Sequence, residues 1–433
     1  MTGSCRCLLA AFFLCSCGTQ TRVDLQNRET SYIGQTYATR PPIDELAERA
    51  NRIALEIGEL RGWDGKLDVS FELADRHRII DAMLTDERSQ MEPSVRQAQA
   101  EFLKSLGWVP IDFDFERDIT QAFSQELLGL YCFTWRRVLL TAGPSHAAIE
   151  STLRHELVHA FQDKYFHIGD KVRWQQDQGD RIAAIHALAE GEAICITRQL
   201  EDPQHRGCLD SLGSDFENHM ADRESGLLPA IIRYSLFSPY VDGIQYVQQL
   251  LRLGGWPRVE EAWRGNLSAT RDVIHASQPS ASRAVEIPAS MPHFGECQPP
   301  YVDVVGEQGL AGVFFDHLRP SAAKTLASKL EADRVAYWRC DDSCGAAWHL
   351  SLASDDAAAE AAKTIRTLLM SGTSASPKGA AACKTSSIGA VRLVRRSRDI
   401  VITSVHGCDS GISLETTISC NAALRWADRL IAQ

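Results

Sequence analysis

Apolar side chains recur at helical spacing early in the chain. Ile43, Leu46, Ala47, Ala50, Ile53, Ala54, Ile57 and Leu60 make one stripe, closed by Arg61-Gly62-Trp63, and predict a helix. The pattern then alternates. Leu67, Val69, Phe71 and Leu73 fall on one face of a strand. Helices are expected around Asp75–Glu87, Pro93–Leu106 and Asp118–Leu128, followed by a hairpin or bent strand in LYCFTWRRVLLTAG. Pro144-Ser145 marks the next helix start, with Ser145 as N-cap, and Ile149, Leu153, Leu157, Ala160 and Phe161 give that helix an apolar stripe. DRIAAIHALAEGEAICITRQL reads as a second long helix with Asp180 as its N-cap. Residues 227–252 read as two more helices, and GLAGVFFDHL as another.

Around residue 320 the character shifts. PSAAKTLASKLEAD is helical, RVAYWRC and AAWHLSLA are strands, and DDAAAEAAKTIRTLLM is a helix. After a Gly/Ser/Ala-rich loop at 372–389, AVRLVRR and IVITSV pair as strands around Ser397-Arg398-Asp399, and a final helix begins near Ile418. The expected fold is α+β: a mainly helical domain with a small sheet over 41–318, then a small α+β module over 319–433. No tandem repeat is visible.

The length of 433 residues suffices for a sizeable core and two domains, and 44% hydrophobic with 23% charged residues is ordinary for a globular chain. A net charge of −11 argues against nucleic acid and against adhesion to anionic membranes. The first residues stand apart. MTGSCRCLLAAFFLCSCGTQ carries Arg6 and then an apolar run from Cys7 to Cys15, too short to span a bilayer, and reads as a signal peptide over 1–17. Its end resembles a bacterial lipobox, with Leu14 at −3 and Cys17 as the residue that takes the lipid; Cys15 at −2 departs from the usual small residue. Export to the envelope, anchored through Cys17, is expected, with plain cleavage and secretion as the alternative. Residues 18–40 are polar and suit a tether, ended by Pro41-Pro42. Beyond the leader nine cysteines remain, an odd number, so at least one is free or pairs between chains; Cys340 and Cys344 could close a tight loop.

The chemistry concentrates in TLRHELVHAFQD, residues 152–163. His155, Glu156 and His159 form H-E-x-x-H. Residues four apart share a helix face about 6 Å apart along the axis, so both imidazoles can bind one Zn²⁺. Glu156 is rotated by roughly 100°, which lets it reach a metal-bound water as general base. Such a site needs a third protein ligand. ALAEGEA, residues 187–193, offers Glu190 and Glu192, about 200° apart on a helix, so only one can face the metal. Glu192 aligns with Ile185, Leu188 and Cys195; Glu190 aligns with Ala183, His186, Ala187 and Ile194. The helical wheel leaves the choice open.

HELVHAFQD followed by ALAEGEA resembles a family of exported bacterial zinc metallopeptidases of the gluzincin type, close to the peptidase-MA-like group, most of whose members are uncharacterised. There H-E-L-x-H-A-x-Q-D precedes a helix with A-L-x-E-G-D-A. The resemblance implies that Glu190 is the third ligand and that Glu192 stands where the family has Asp. ELRG, GLYCFTWRRVLL, LLRLGGWPRVEEAWRG, ATRDVIH and VVGEQGL also resemble recurring segments, although in ATRDVIH only Thr270 and His275 match strictly. The C-terminal stretch from LEADRVAYW to DDAAAEA resembles the family's closing module without its tryptophan-glycine step. The likeness covers most of 43–370 and implies a zincin-like fold, a zinc cofactor and a peptide or protein substrate.

Candidate donors for an oxyanion are Tyr165, His167, His186 and His275, each more simply read as a structural residue. Asp163 lies on the metal face and could accept from a ligand histidine, or pair with Lys164 instead. The edge strand before the metal helix is a place where an extended peptide could add. Two functional classes follow: a zinc peptidase of the envelope, or a non-catalytic zinc-containing envelope lipoprotein whose C-terminal module binds a partner.

Overall fold

The computed structural model describes residues 43–123, 127–141, 146–202, 208, 228–265, 267–276, 285, 301–340, 343–370, 384–385, 390–408 and 416–432. The expected leader, lipobox, tether and Ser145 cap lie outside these residues, as does most of the 372–389 loop. The fold is α+β, as the pattern predicts. Helix α1 (Ile43–Arg61) is followed by β1 (Ser70–Ala74), α2 (Arg76–Gln90), α3 (Pro93–Leu106) and α4 (Phe115–Phe123). Asp75 caps α2 by accepting from Arg78 N at 2.8 Å. Pro93 opens α3 and Gly107, at φ 72°, closes it in the left-handed region that favours glycine. The fourth helix starts at Phe115, three residues before the expected Asp118, and Leu127 and Leu128 are not helical.

LYCFTWRRVLLTAG forms a hairpin, β2 (Gly129–Cys132) and β3 (Arg137–Thr141), turned at Arg136 with φ 47°. Asp86 of α2 holds that turn, accepting from Phe133 N and Thr134 N at 2.7 and 2.9 Å. The first sheet has the order β1-β3-β2, with β1 parallel to β3 and β2 antiparallel. Two long helices lie beyond it, α5 (His146–Phe166) and, after the short α6 (Ile168–Lys171), α7 (Gly179–Glu201).

Two local expectations are corrected here. Asp180 is not an N-cap: it lies in the first turn of α7, and its carboxylate accepts from Thr270 N and Oγ1 at 3.0 and 2.5 Å. Residues 227–252 are one helix rather than two, α8 (Ala230–Gly254), with Pro239 inside it. Proline removes one helical hydrogen bond; fifteen buried residues along α8, set against α7 and the core, outweigh that loss. The close approach of α7 to α8 depends on glycine. A Cβ at Gly191 would lie 2.1 Å from Gly243 O, and one at Gly243 would lie 1.9 Å from Ala187 O.

Helices α9 (Trp256–Arg264) and α10 (Thr270–Ile274) lead to β4 (Tyr301–Asp303), α11 (Gly306–Phe314) and α12 (Pro320–Ala327). The chain then enters β5 (Leu330–Arg339), earlier than expected: Asp333 is needed in the strand, where it accepts from Val305 N, Gly306 N and Trp348 Nε1. Strand β6 (Ser343–Leu352), α13 (Asp355–Met370), β7 (Lys384–Thr385), β8 (Ala390–Arg396), β9 (Asp399–Gly407) and α14 (Thr416–Leu430) complete the chain. The second sheet is antiparallel in the order β4-β5-β6-β9-β8-β7.

Strand β4 lies before the expected boundary at 318 and yet pairs with β5 beyond it. One apolar core joins Phe102, Leu106, Leu130 and Leu139 to Trp348, Leu350, Ile400 and Ile402. Trp108 meets Trp348 edge-on at 4.7 Å, and Arg334 forms a two-pronged ion pair with Asp177 at 2.9 and 2.7 Å. Cys344 pairs with Cys408 rather than with Cys340: β6 and β9 are neighbours, Cys344 faces His406, and Cys408, just past the end of β9, comes within 5.0 Å Cα to Cα. Cys340 is itself disulfide-bonded. Cys195 pairs with Cys208, and Cys132 is free and buried.

Candidate metal centre

Helix α5 presents His155 and His159 on one face, and α7 crosses it to bring Glu190 against them. Their ligand atoms all lie within 4.8 Å of one another. His155 Nε2 is 3.1 Å from His159 Nε2 and 3.2 Å from Glu190 Oε2; His159 Nε2 is 3.8 Å from that oxygen. Three groups able to donate lone pairs thus converge, two imidazoles and one carboxylate, and this donor set suits Zn²⁺. The three side chains are 1–2% exposed.

The electrostatics of the metal-free cluster follow from burial and mutual charge. Burial works against a charge on His155, but the hydrogen bond and the charge of Glu190 outweigh it and raise the pKa. Burial dominates at His159, with the neighbouring His155 adding to it, and lowers its pKa to about 4. Burial also opposes ionisation of Glu190. The charge of His159 and hydrogen bonds from His155 and His186 overcome this and hold the carboxyl well below the usual range. Without metal, Glu190 thus favours its ionised form and His159 its neutral form, both suited to a metal, whereas His155 favours its protonated form and must give up that proton to bind one.

Glu156, fully buried, leaves the ligand face as its helical position requires. Its Oε2 accepts from Tyr131 N at 2.7 Å. Strand β2 is a sheet edge, as expected, but this contact engages the outward-facing amide of Tyr131, and all four residues of β2 are buried.

The expected supporting residues are distributed differently. His186 sits on α7 one turn before Glu190, with Nε2 3.2 Å from Glu190 Oε1; it supports the ligand carboxylate. Asp163 contacts neither ligand histidine and does not pair with Lys164. It accepts from Tyr131 OH at 3.2 Å and Gly169 N at 3.3 Å, while Lys164 pairs with Asp64 at 2.7 Å. Tyr165 OH also bonds Asp64, at 3.0 Å. His167 lines a cleft of about 420 Å³ alongside α5 with Lys66, Arg136 and Asp163. His275 is 2.8 Å from Glu307 on α11. None of Tyr165, His167 and His275 is joined to the three ligand residues by a hydrogen bond or ion pair among the described residues.

The sequence reading missed the residue that holds His159. Gln162 Oε1 lies 2.8 Å from His159 Nδ1, and Gln162 Nε2 donates to Ala189 O at 3.0 Å and Glu192 Oε2 at 2.9 Å. Its position inside the motif, three residues after His159, was the available signal. Glu192 is thereby placed away from the ligand cluster, in an ion pair with Arg61 at 2.7 Å.

Set against known family models, curated proteins and solved structures, the chain matches none.

Proposed function

We propose that this chain is a zinc-dependent hydrolase of peptide bonds, exported and held at the bacterial cell envelope through a lipid on Cys17. The observation that carries the reading is the convergence of His155, His159 and Glu190 from two helices, with Glu156 fixed beside them. Zinc held by the three would lower the pKa of a bound water to about 7 and polarise a carbonyl. Glu156 then takes the water proton and hands it to the leaving amine. The Tyr131 amide orients its carboxylate for that task. Paired Cys195–Cys208 and Cys344–Cys408 support an oxidising compartment and hence export. Among the described residues no helix is long and apolar enough to cross a membrane; the lipid anchor rests on the lipobox-like end of the leader at Cys17.

The burial of the cluster favours a second reading, a non-catalytic zinc-containing lipoprotein with a structural metal. Glu156 separates the two, because a structural site has no use for it. Zinc per chain in the mature protein, with His159→Ala and Glu190→Ala alongside, is the first measurement. About one zinc in wild type and none in either variant is expected. Absence of zinc from wild type, or its retention in Glu190→Ala, overturns the ligand set. Glu156→Gln should keep zinc and lose hydrolysis of an unfolded protein such as casein. Unchanged turnover in that variant would end the proposed mechanism, and zinc without any turnover in wild type moves the second reading ahead.

A further inference from the structure

The second glutamate of ALAEGEA has no place in the ligand cluster, yet it is 0% exposed. Its Oε1 accepts from Arg61 Nε at 2.7 Å; its Oε2 accepts from Trp263 Nε1 at 2.7 Å and from Gln162 Nε2 at 2.9 Å. Arg61 is also buried, and its guanidinium lies 4.4 Å from the Trp63 ring and 4.8 Å from the Trp256 ring. Residues from α1, α5, α7 and α9 meet on one carboxylate. A buried ion pair is weak ground for stability, since apolar replacements of the same volume often serve as well. Its value here lies in orientation.

We propose that Glu192 is a positioning residue for the metal centre: through Gln162 it fixes the ring proton of His159 on Nδ1 and so turns the Nε2 lone pair toward the ion. The inference rests on the metal reading above. The argument is one of donors and acceptors. The NH₂ of Gln162 faces the Ala189 carbonyl and the Glu192 carboxylate, and both can only accept. Its amide orientation is therefore determined, and Oε1 faces His159 Nδ1 at 2.8 Å. An amide oxygen only accepts, so Nδ1 carries the proton. The neutral ring then has its lone pair on Nε2, the atom 3.1 Å from His155 Nε2 and 3.8 Å from Glu190 Oε2. Turning the amide over would set its oxygen against two acceptors. Arg61 and Trp263 hold Glu192 from segments 131 and 71 residues away, so α1 and α9 become remote parts of the site.

The test is Glu192→Gln. The introduced amide has one oxygen for three donors, so its NH₂ must face either Arg61 or both Trp263 and Gln162. Gln162 can answer by turning over, which offers an N–H to His159 Nδ1 and moves the ring proton to Nε2. Adding Gln162→Glu to that variant restores an acceptor-only group beside Nδ1, with the amide at 192 as its donor. The ring tautomer is read on metal-free protein by ¹⁵N NMR after histidine labelling, with His159→Ala identifying the signal; zinc affinity is read by competition with a chromophoric chelator. Wild type should show the Nδ1–H form. Glu192→Gln should show a mixture and about 10–100-fold weaker zinc binding, and the double variant should recover both. If Glu192→Gln fails to fold, Gln162→Leu removes the acceptor directly and should give the same mixture. An unchanged tautomer and unchanged zinc affinity in a folded Glu192→Gln or Gln162→Leu overturn the proposal. Because the tautomer is measured without metal, a wild type that binds no zinc, together with a Glu192→Gln variant whose tautomer shifts as described, defeats the metal reading and leaves the positioning of His159 standing.

Discussion

Replacing Gly191 by alanine tests whether the proposed third ligand, Glu190, depends on the crossing of two helices. The added Cβ would lie 2.1 Å from Gly243 O and 2.2 Å from Gly243 C. Both neighbours are backbone atoms, so no side-chain rotation can clear them. Restoring an ordinary contact requires the helices to part by roughly 1 Å locally. Overpacking of this kind costs about 1–3 kcal/mol, and the rigidity of the contact puts this case at the upper end. Alanine recovers ~1 kcal/mol of helix propensity, for a net loss of about 2 kcal/mol. Glu190 is the preceding residue, and a functional constellation tolerates about 0.5 Å of displacement, so zinc affinity should fall by at least ~10-fold. Urea unfolding of the metal-free protein gives the first quantity and chelator competition the second. Gly243→Ala should behave alike, and the double variant should cost less than the sum, because both report one contact. A variant as stable as wild type with unchanged zinc affinity would refute the crossing as the device that places Glu190.

Two further outcomes follow from buried groups. Burial raises the Asp180 carboxyl from its ordinary value to about 8, so the native state holds this proton more tightly than the unfolded chain does. Its contribution is full below about pH 4 and is lost as pH rises toward 8, with a ceiling of ~6 kcal/mol. Asp180→Asn should gain stability relative to wild type between pH 5 and pH 8 in paired denaturation curves; a pH-independent difference would contradict this. Loop entropy assigns about 4 kcal/mol to Cys344–Cys408 and about 3 kcal/mol to Cys195–Cys208. Paired alanine variants should lower the unfolding midpoint in that order, and the reverse order would show that native packing outweighs chain entropy.

Local periodicity carried much of the fold. The stripe over 43–60, the proline start of α3 and the strands expected at β6, β8 and β9 became the elements they suggested, while β5 took in the end of an expected helix. Within the site, His155 and His159 were legible because their relation is one helical turn. Periodicity alone left Glu190 and Glu192 undecided and only the family resemblance pointed to Glu190, because what draws Glu192 aside is Arg61 and Trp263, 131 and 71 residues from it. Asp180 read as a cap for the same reason: its partner, Thr270, is 90 residues away. The two helices expected over 227–252 are one, because tertiary burial carries the helix through Pro239. The disulfide partner of Cys344 followed from β9 lying beside β6, which brings Cys408 close, rather than from the nearness of Cys340 in sequence.

The core that runs from Phe102 to Ile402 also bears on how such a chain can be inherited. A module that only hangs from its neighbour can be exchanged by recombination at a linker. Here the second sheet is a wall of the half that carries His155, His159 and Glu190: β4 is lent to it across the expected boundary, and Trp108 rests on Trp348. A recombinant cut at 318 would strip that wall and expose the apolar side of α3. The two halves are therefore expected to change together, each substitution at the seam selecting its complement across it.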